Sequence, residues 1–148
     1  MVLPILCAGT LLAADYGLRS LARRGKLERA LLGGRIRLEL LENPGMAGGV
    51  LKNHPYLARA LSGGALLMVL IMCRGELLHG RGMGCWGAAL LCAGGLGNVL
   101  ERLWRGCVTD YIRFPRLPAG RLQRLVWNLA DLMLSAGALL LAAGSISS

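Results

Sequence analysis

Two aspartates, Asp110 and Asp131, are the residues of this sequence whose type and placement could do chemistry. Asp131 lies within an apolar stretch of membrane length, where a carboxyl group costs about 2.5–3.5 kcal/mol on insertion scales. It should therefore face the protein interior, and by default it marks a functional site. Asp110 sits in a basic loop just before that stretch, so the two are expected to meet at the membrane surface. Two close carboxylates do not readily ionise together; one pKa rises and the pair shares a proton. Such a pair titrates as one unit and can supply a general base and a general acid. The same acids could instead line a proton or ion path.

Polar stripes flank both ends of this region. Gly94, Gly97, Asn98 and Glu101 recur at i, i+3, i+4 and i+7, and Asn128, Asp131 and Ser135 at i, i+3 and i+7. Arg124, one turn before Asn128, extends the second stripe toward the interface. A polar stripe can simply glue membrane helices together. Two stripes that carry ionisable groups and meet each other read better as a site.

The elements that position these residues must cross a bilayer. Of 148 residues, 55% are hydrophobic and only 17% charged, with a mean hydropathy of +0.54. Four apolar stretches, roughly 2–18, 56–73, 83–100 and 125–144, are each long enough to cross about 30 Å of hydrocarbon as a helix. The expected fold class is an all-α membrane protein, one domain over residues 1–148. It has four transmembrane helices, with a surface helix and a small extramembrane β platform over 20–55. The net charge of +9 falls mostly in the connections, where anionic lipid headgroups are the near partners. With no recognition helix or stacking platform, nucleic acid is not an expected partner. The five cysteines show no CxxC spacing and read as packing residues. His54 and His79 lie in different connections, so neither a metal nor a cofactor is expected. The first stretch lacks a basic leader and a small-residue cleavage site, and should remain as span one.

Along the chain, Asp15 and Arg19 are spaced i,i+4 at the end of span one, in the favourable order for an ion pair. They read either as an interfacial pair with Arg19 snorkelling or as support for a site. Ser20 to Leu32, basic with interspersed leucines, is predicted as a surface helix ended by Gly33-Gly34. Arg35 to Leu40 alternate strictly, which argues for a strand with Ile36, Leu38 and Leu40 on one face. Asn43-Pro44-Gly45 is a turn signal, and Met46 to Leu51 could return as a second strand. Such a platform could hold an extended peptide by main-chain hydrogen bonds. Gly63-Gly64 in span two, and Gly84, Gly87, Gly94 and Gly97 in span three, permit close helix approach. Glu101 and Arg105 are predicted to pair at i,i+4.

At this point the chain resembles the lipoprotein signal peptidases, the type II signal peptidases of bacterial membranes. Asp15-Tyr-Gly-Leu-Arg19 is similar to the family's Asp-x-x-x-Lys, and Asn43-Pro-Gly45-Met-Ala47 to its Asn-x-Gly-x-Ala. Gly94-Gly-Leu-Gly97-Asn98-Val-Leu-Glu101-Arg102 with Gly106-Cys-Val108-Thr-Asp110-Tyr111 resembles Gly-x-x-Gly-Asn-x-x-Asp-Arg and Gly-x-Val-x-Asp-Phe. Trp127-Asn128-Leu-Ala130-Asp131 and Gly137 are similar to Phe-Asn-x-Ala-Asp and Gly. Glu101 stands where the family usually has Asp, Arg19 where it has Lys, Tyr111 where it has Phe, and Gly48 where a bulkier apolar residue is common.

The resemblance implies a membrane aspartyl endopeptidase that cleaves a diacylglyceryl-modified prolipoprotein just before the lipid-bearing cysteine. Asp110 and Asp131 would be catalytic. Asn43, Gly45, Asn98, Arg102, Asn128 and Ala130 would bind substrate or support the site, and Asp15, Arg19, Glu101 and Arg105 would be structural. The partners would be the lipidated substrate and membrane lipids, with the chain a monomer in the bacterial inner membrane. Alternatives are an inactive lipopeptide-binding relative and a small proton- or ion-conducting protein. The family places the site at the extracytoplasmic face. The positive-inside rule points the other way, because the first and third connections hold most of the Lys and Arg.

Overall fold

The computed structural model describes residues 2–46, 50–116 and 125–146. Four long helices, α1 (Val2–Arg23), α2 (Pro55–His79), α3 (Gly82–Arg105) and α4 (Leu129–Ile146), carry the chain back and forth. Each is long and apolar enough to cross a membrane. The first three run about one turn or more past their predicted ends. Hydropathy stops at the first charges, whereas the helices continue through basic last turns at Arg23, His79, Arg102 and Arg105, where cations meet the negative helix end. The start predicted for span four is instead strand β4 (Val126–Trp127); an apolar β-branched and aromatic pair fits either pattern.

The predicted surface helix does not form. Ser20 to Arg23 continue α1, Gly25 follows at φ 67°, a helix-ending conformation suited to glycine, and Arg29–Leu31 become strand β1. A tight turn at Leu32–Gly34 leads to β2 (Ile36–Asn43). The segment carrying Asp110 is also a strand, β3 (Val108–Arg113), rather than a loop. The four strands form one antiparallel sheet in the order β1-β2-β3-β4.

The alternation read at Arg35 to Leu40 does give a strand, but not one buried face. A register shift between Leu38 and Leu41 leaves Leu40 41% exposed and sets Leu41 opposite Asp110. Bulges re-aim side chains in this way beside functional sites. The second strand expected at Met46 to Leu51 is not seen in its described part. The Met46 N–H bonds the Val50 carbonyl at 2.6 Å, and residues 50–53 form turns. Ala47, Gly48 and Arg124 lie outside the described residues.

Helix α3 packs against the other three and most extensively on α4. A Cβ at Gly87 would come within 2.8 Å of the Gly137 carbonyl oxygen, and one at Gly137 within 2.8 Å of the Gly87 carbonyl. Only hydrogen fits where two backbones approach so closely. Gly94 meets the Ala130 carbonyl and Gly144 meets Gly84 along the same seam. Gly63 and Gly64, predicted for close packing, face open space instead.

Candidate active site

Asn128 begins the site by beginning α4. Its Oδ1 accepts the Asp131 N–H at 2.9 Å, and the Asp131 Oδ2 accepts the Asn128 N–H at 3.2 Å. This is a reciprocal capping box, two orphan donors satisfied at a helix start. It fixes Asp131 in the first turn of α4 and leaves the Asn128 amide nitrogen free to donate to Asp110 Oδ1 at 2.7 Å.

The other oxygens are held in the same way. Asn43 accepts the Gly45 N–H on its Oδ1 at 3.1 Å and donates from Nδ2 to Asp110 Oδ2 at 3.2 Å. Asn98 donates from Nδ2 to Asp131 Oδ1 at 2.7 Å and accepts on Oδ1 from Arg19 at 2.9 Å. Each of the four carboxylate oxygens thus accepts from an Asn amide or the capping backbone N–H. Among the described residues neither aspartate joins an ion pair. Hydrogen bonds from neutral amides favour the ionised form without cancelling the repulsion between the two acids.

Asp110 is only 3% exposed and lies outside the spans. Burial, followed by the neighbouring Asp131 carboxylate, pushes its pKa up to about 6, against the opposing pull of the Asn128 and Asn43 amides. A carboxyl in that range carries a proton for part of the time near neutral pH.

Arg102 holds the turn above the pair, donating to the Gly45 carbonyl at 2.9 Å and the Asn98 carbonyl at 3.3 Å. Gly45 is buried, and a Cβ there would fall onto the Val50 carbonyl and lie 2.8 Å from the Lys52 nitrogen. Ala130 is fully buried against Gly97 and Gly94 of α3. Arg19 and Asp15, each 1% exposed, form the predicted ion pair at 2.6 Å. That burial rules out snorkelling. Asp15 Oδ1 also accepts from the Tyr111 hydroxyl at 2.8 Å and from the Leu129 N–H at 3.1 Å, tying α1 to β3 and α4. Burial and the Asp15 charge raise the Tyr111 pKa, keeping its hydroxyl a donor.

The predicted Glu101–Arg105 pair does not form. Glu101 is buried and turns inward, 3.1 Å from Arg23 and 3.7 Å from Arg19, and accepts from the Thr109 N–H and hydroxyl at 3.2 and 2.8 Å. Arg105 instead reaches Glu42 of β2 at 3.0 Å. Among the described residues Ser135 bonds only its own helix, at the Asp131 carbonyl, and stands outside the site. Arg23 and Thr109 were missed in the sequence, since only the packing of α1 and β3 on α3 brings them to Glu101. Asn-x-x-Asp before an apolar run is capping-box spacing, a signal for the start of α4 that the hydropathy boundary at 125 passed over.

A family model described as signal peptidase (SPase) II matches residues 7–147. The chain belongs to this family. It is similar to the lipoprotein signal peptidase of Caldicellulosiruptor bescii, 28% identical over 111 residues that cover 75% of this chain and 67% of that one. Its likeness to the lipoprotein signal peptidase of Halothermothrix orenii is 33% over 104 residues, covering 70% of this chain and 66% of the relative. The matched stretches therefore span about two thirds of those relatives. Two solved bacterial membrane enzyme structures, determined by the in meso method, share the fold. One has a TM-score of 0.80 at 19% identity, covering 99% of this chain and 89% of its own. The other has a TM-score of 0.74 at 20%, covering 97% and 92%. With four membrane-length helices, this member of the family is a bacterial multi-pass membrane protein.

Proposed function

We propose that the chain is an aspartyl endopeptidase that removes signal peptides from diacylglyceryl-modified prolipoproteins, cutting before the lipidated cysteine. The observation that carries this reading is the joining of Asp110 and Asp131 through Asn128, with all four carboxylate oxygens aimed by fixed donors. Family membership supplies the substrate class. The ionised member of the pair takes a proton from a water, and that water attacks the scissile carbonyl. The protonated member polarises the carbonyl oxygen and then delivers its proton to the departing amine. The two act as one titrating unit.

The remaining residues take supporting roles. Asn98 and Asn128 orient the aspartates. Asn43, Gly45 and Arg102 shape the turn over the pair, and Ala130 lets α4 approach α3 beneath it. Asp15, Arg19 and Glu101 hold α1, α3 and the sheet together. Arg105 joins α3 to β2. The chain works as a single-domain monomer among membrane lipids, with its site at the extracytoplasmic face.

The test is incubation of the purified protein in detergent with a lipidated prolipoprotein, alongside Asp110→Asn and Asp131→Asn. Cleavage by the wild type and none by either folded variant supports the reading. Turnover in either variant removes the dyad assignment, and an inert wild type removes the activity.

A further inference from the structure

The three asparagines around the aspartates differ in what fixes their amides. An Asn side chain presents an acceptor at one end and donors at the other, so a neighbour that can only donate determines which way it points. For Asn128 that neighbour is the Asp131 N–H, and for Asn43 it is the Gly45 N–H. Both are backbone groups, which no substitution other than proline removes. For Asn98 the neighbour is the Arg19 guanidinium, 2.9 Å from Oδ1. A guanidinium has five N–H donors and no acceptor, so Oδ1 must face Arg19 and Nδ2 must face Asp131, at 2.7 Å.

Resting on the dyad reading above, we infer that Arg19 is a positioning residue for catalysis, acting through Asn98. It prevents the Asn98 amide from turning over. Were it to turn, its oxygen would face Asp131 Oδ1, repel the ionised carboxylate and accept a hydrogen bond from the protonated one. With the amide locked, Asp131 Oδ1 faces a donor, as the other three carboxyl oxygens do, and the ionised form of Asp131 keeps its hydrogen bond from Asn98. Arg19 can hold this position because it is itself held. Its Nε bonds Asp15 Oδ2 at 2.6 Å, and Glu101 lies 3.7 Å from its other terminal nitrogen. The guanidinium thus hydrogen-bonds two acceptors, Asp15 and Asn98, with the Glu101 charge close by, and a planar fork loses little freedom for each bond it makes.

A purely architectural Arg19 would affect stability and leave catalysis per folded molecule unchanged. The two roles separate in a double-mutant cycle read as kcat and KM on a lipidated prolipoprotein. Arg19→Gln should lower kcat about 10- to 100-fold, the scale of a lost hydrogen bond to a charged group, with KM within about threefold. Asn98→Ala should fall in the same range, and the double variant should be no worse than Asn98→Ala within about threefold, because the two act as a unit. Arg19→Lys keeps a donor-only cation and should restore most of the lost kcat. Losses that multiply in the double variant, or Arg19→Gln with wild-type kcat, overturn the inference while leaving the dyad intact. Turnover in Asp110→Asn or Asp131→Asn, or a wild type that leaves the substrate uncut, overturns both. If Arg19→Gln does not fold, Arg19→Lys takes its place in the cycle: whatever kcat it loses should be absent in the Asn98→Ala background, and a loss of its own there overturns the inference.

Discussion

Replacing Asp110 by Asn should stabilise the protein at alkaline pH relative to wild type, and the gain should vanish in acid. In the folded chain the Asp110 pKa stands at about 6 rather than the usual 3.8. Between these values the folded protein binds more protons than the unfolded one, so wild-type stability falls as pH rises through that window. The gap corresponds to about 3 kcal/mol, fully lost above pH 6–7. Asn does not titrate, so the variant escapes that loss. Against this, Asn43 and Asn128 both aim donors at position 110. An Asn offers one oxygen, leaving one donor facing another at a cost of about 1–3 kcal/mol. The absolute gain at pH 8 is therefore small, but its change with pH is not. Thermal melts in detergent at pH 4, 6 and 8 should show the variant gaining on wild type by roughly 6–12 °C across the range, with cleavage lost by about 10²–10⁴-fold. A difference in melting that stays flat with pH would refute the origin assigned to the raised pKa.

Asp131→Asn should also abolish cleavage, and the double variant should be little worse than either single one; activities that multiply would mean two independent groups. Glu101→Gln should destabilise by about 3–5 kcal/mol, because Arg23 and the buried Arg19 lose their shared anion, while cleavage stays measurable. Wild-type melting with no activity would make Glu101 a direct participant. Gly137→Leu should lower the melting temperature sharply or prevent folding, since the new side chain meets the Leu91 and Gly87 backbone; a wild-type melt would deny the close seam. Cys107 should react with an impermeant thiol reagent in intact cells, best above pH 8, because burial and Glu42 raise its pKa. Labelling only after permeabilisation would place the sheet on the cytoplasmic side.

The spans and the two aspartates could be read from the sequence because each depends on local signals: apolar runs of membrane length, and a carboxyl that has no cheap place inside one. The sheet was only half legible. Alternation betrayed β2, but β3 carries Thr109, Asp110 and Tyr111 in succession, all buried, and a strand packed on both faces shows no period of two. The Glu101–Arg105 pairing failed for a related reason. Helical spacing reports which side chains share a face, whereas Glu101 is claimed by groups arriving from α1 and β3. Arg105, further toward the helix end, is met by Glu42 across the top of the sheet.

The glycine seam between α3 and α4 distributes the risk of mutation in an unexpected way. By helical rise, Gly137 lies about 9 Å along its helix from Asp131, and Gly87 about 16 Å from Asn98. Neither touches the reacting groups, yet neither can accept a single added carbon without the two helices parting. Exchanges that keep the charge are more forgiving nearer the chemistry, as the longer acid at Glu101 reaches both Arg23 and Thr109. An ion pair around the site can therefore exchange one acid for another where the seam cannot exchange a hydrogen for a methyl group.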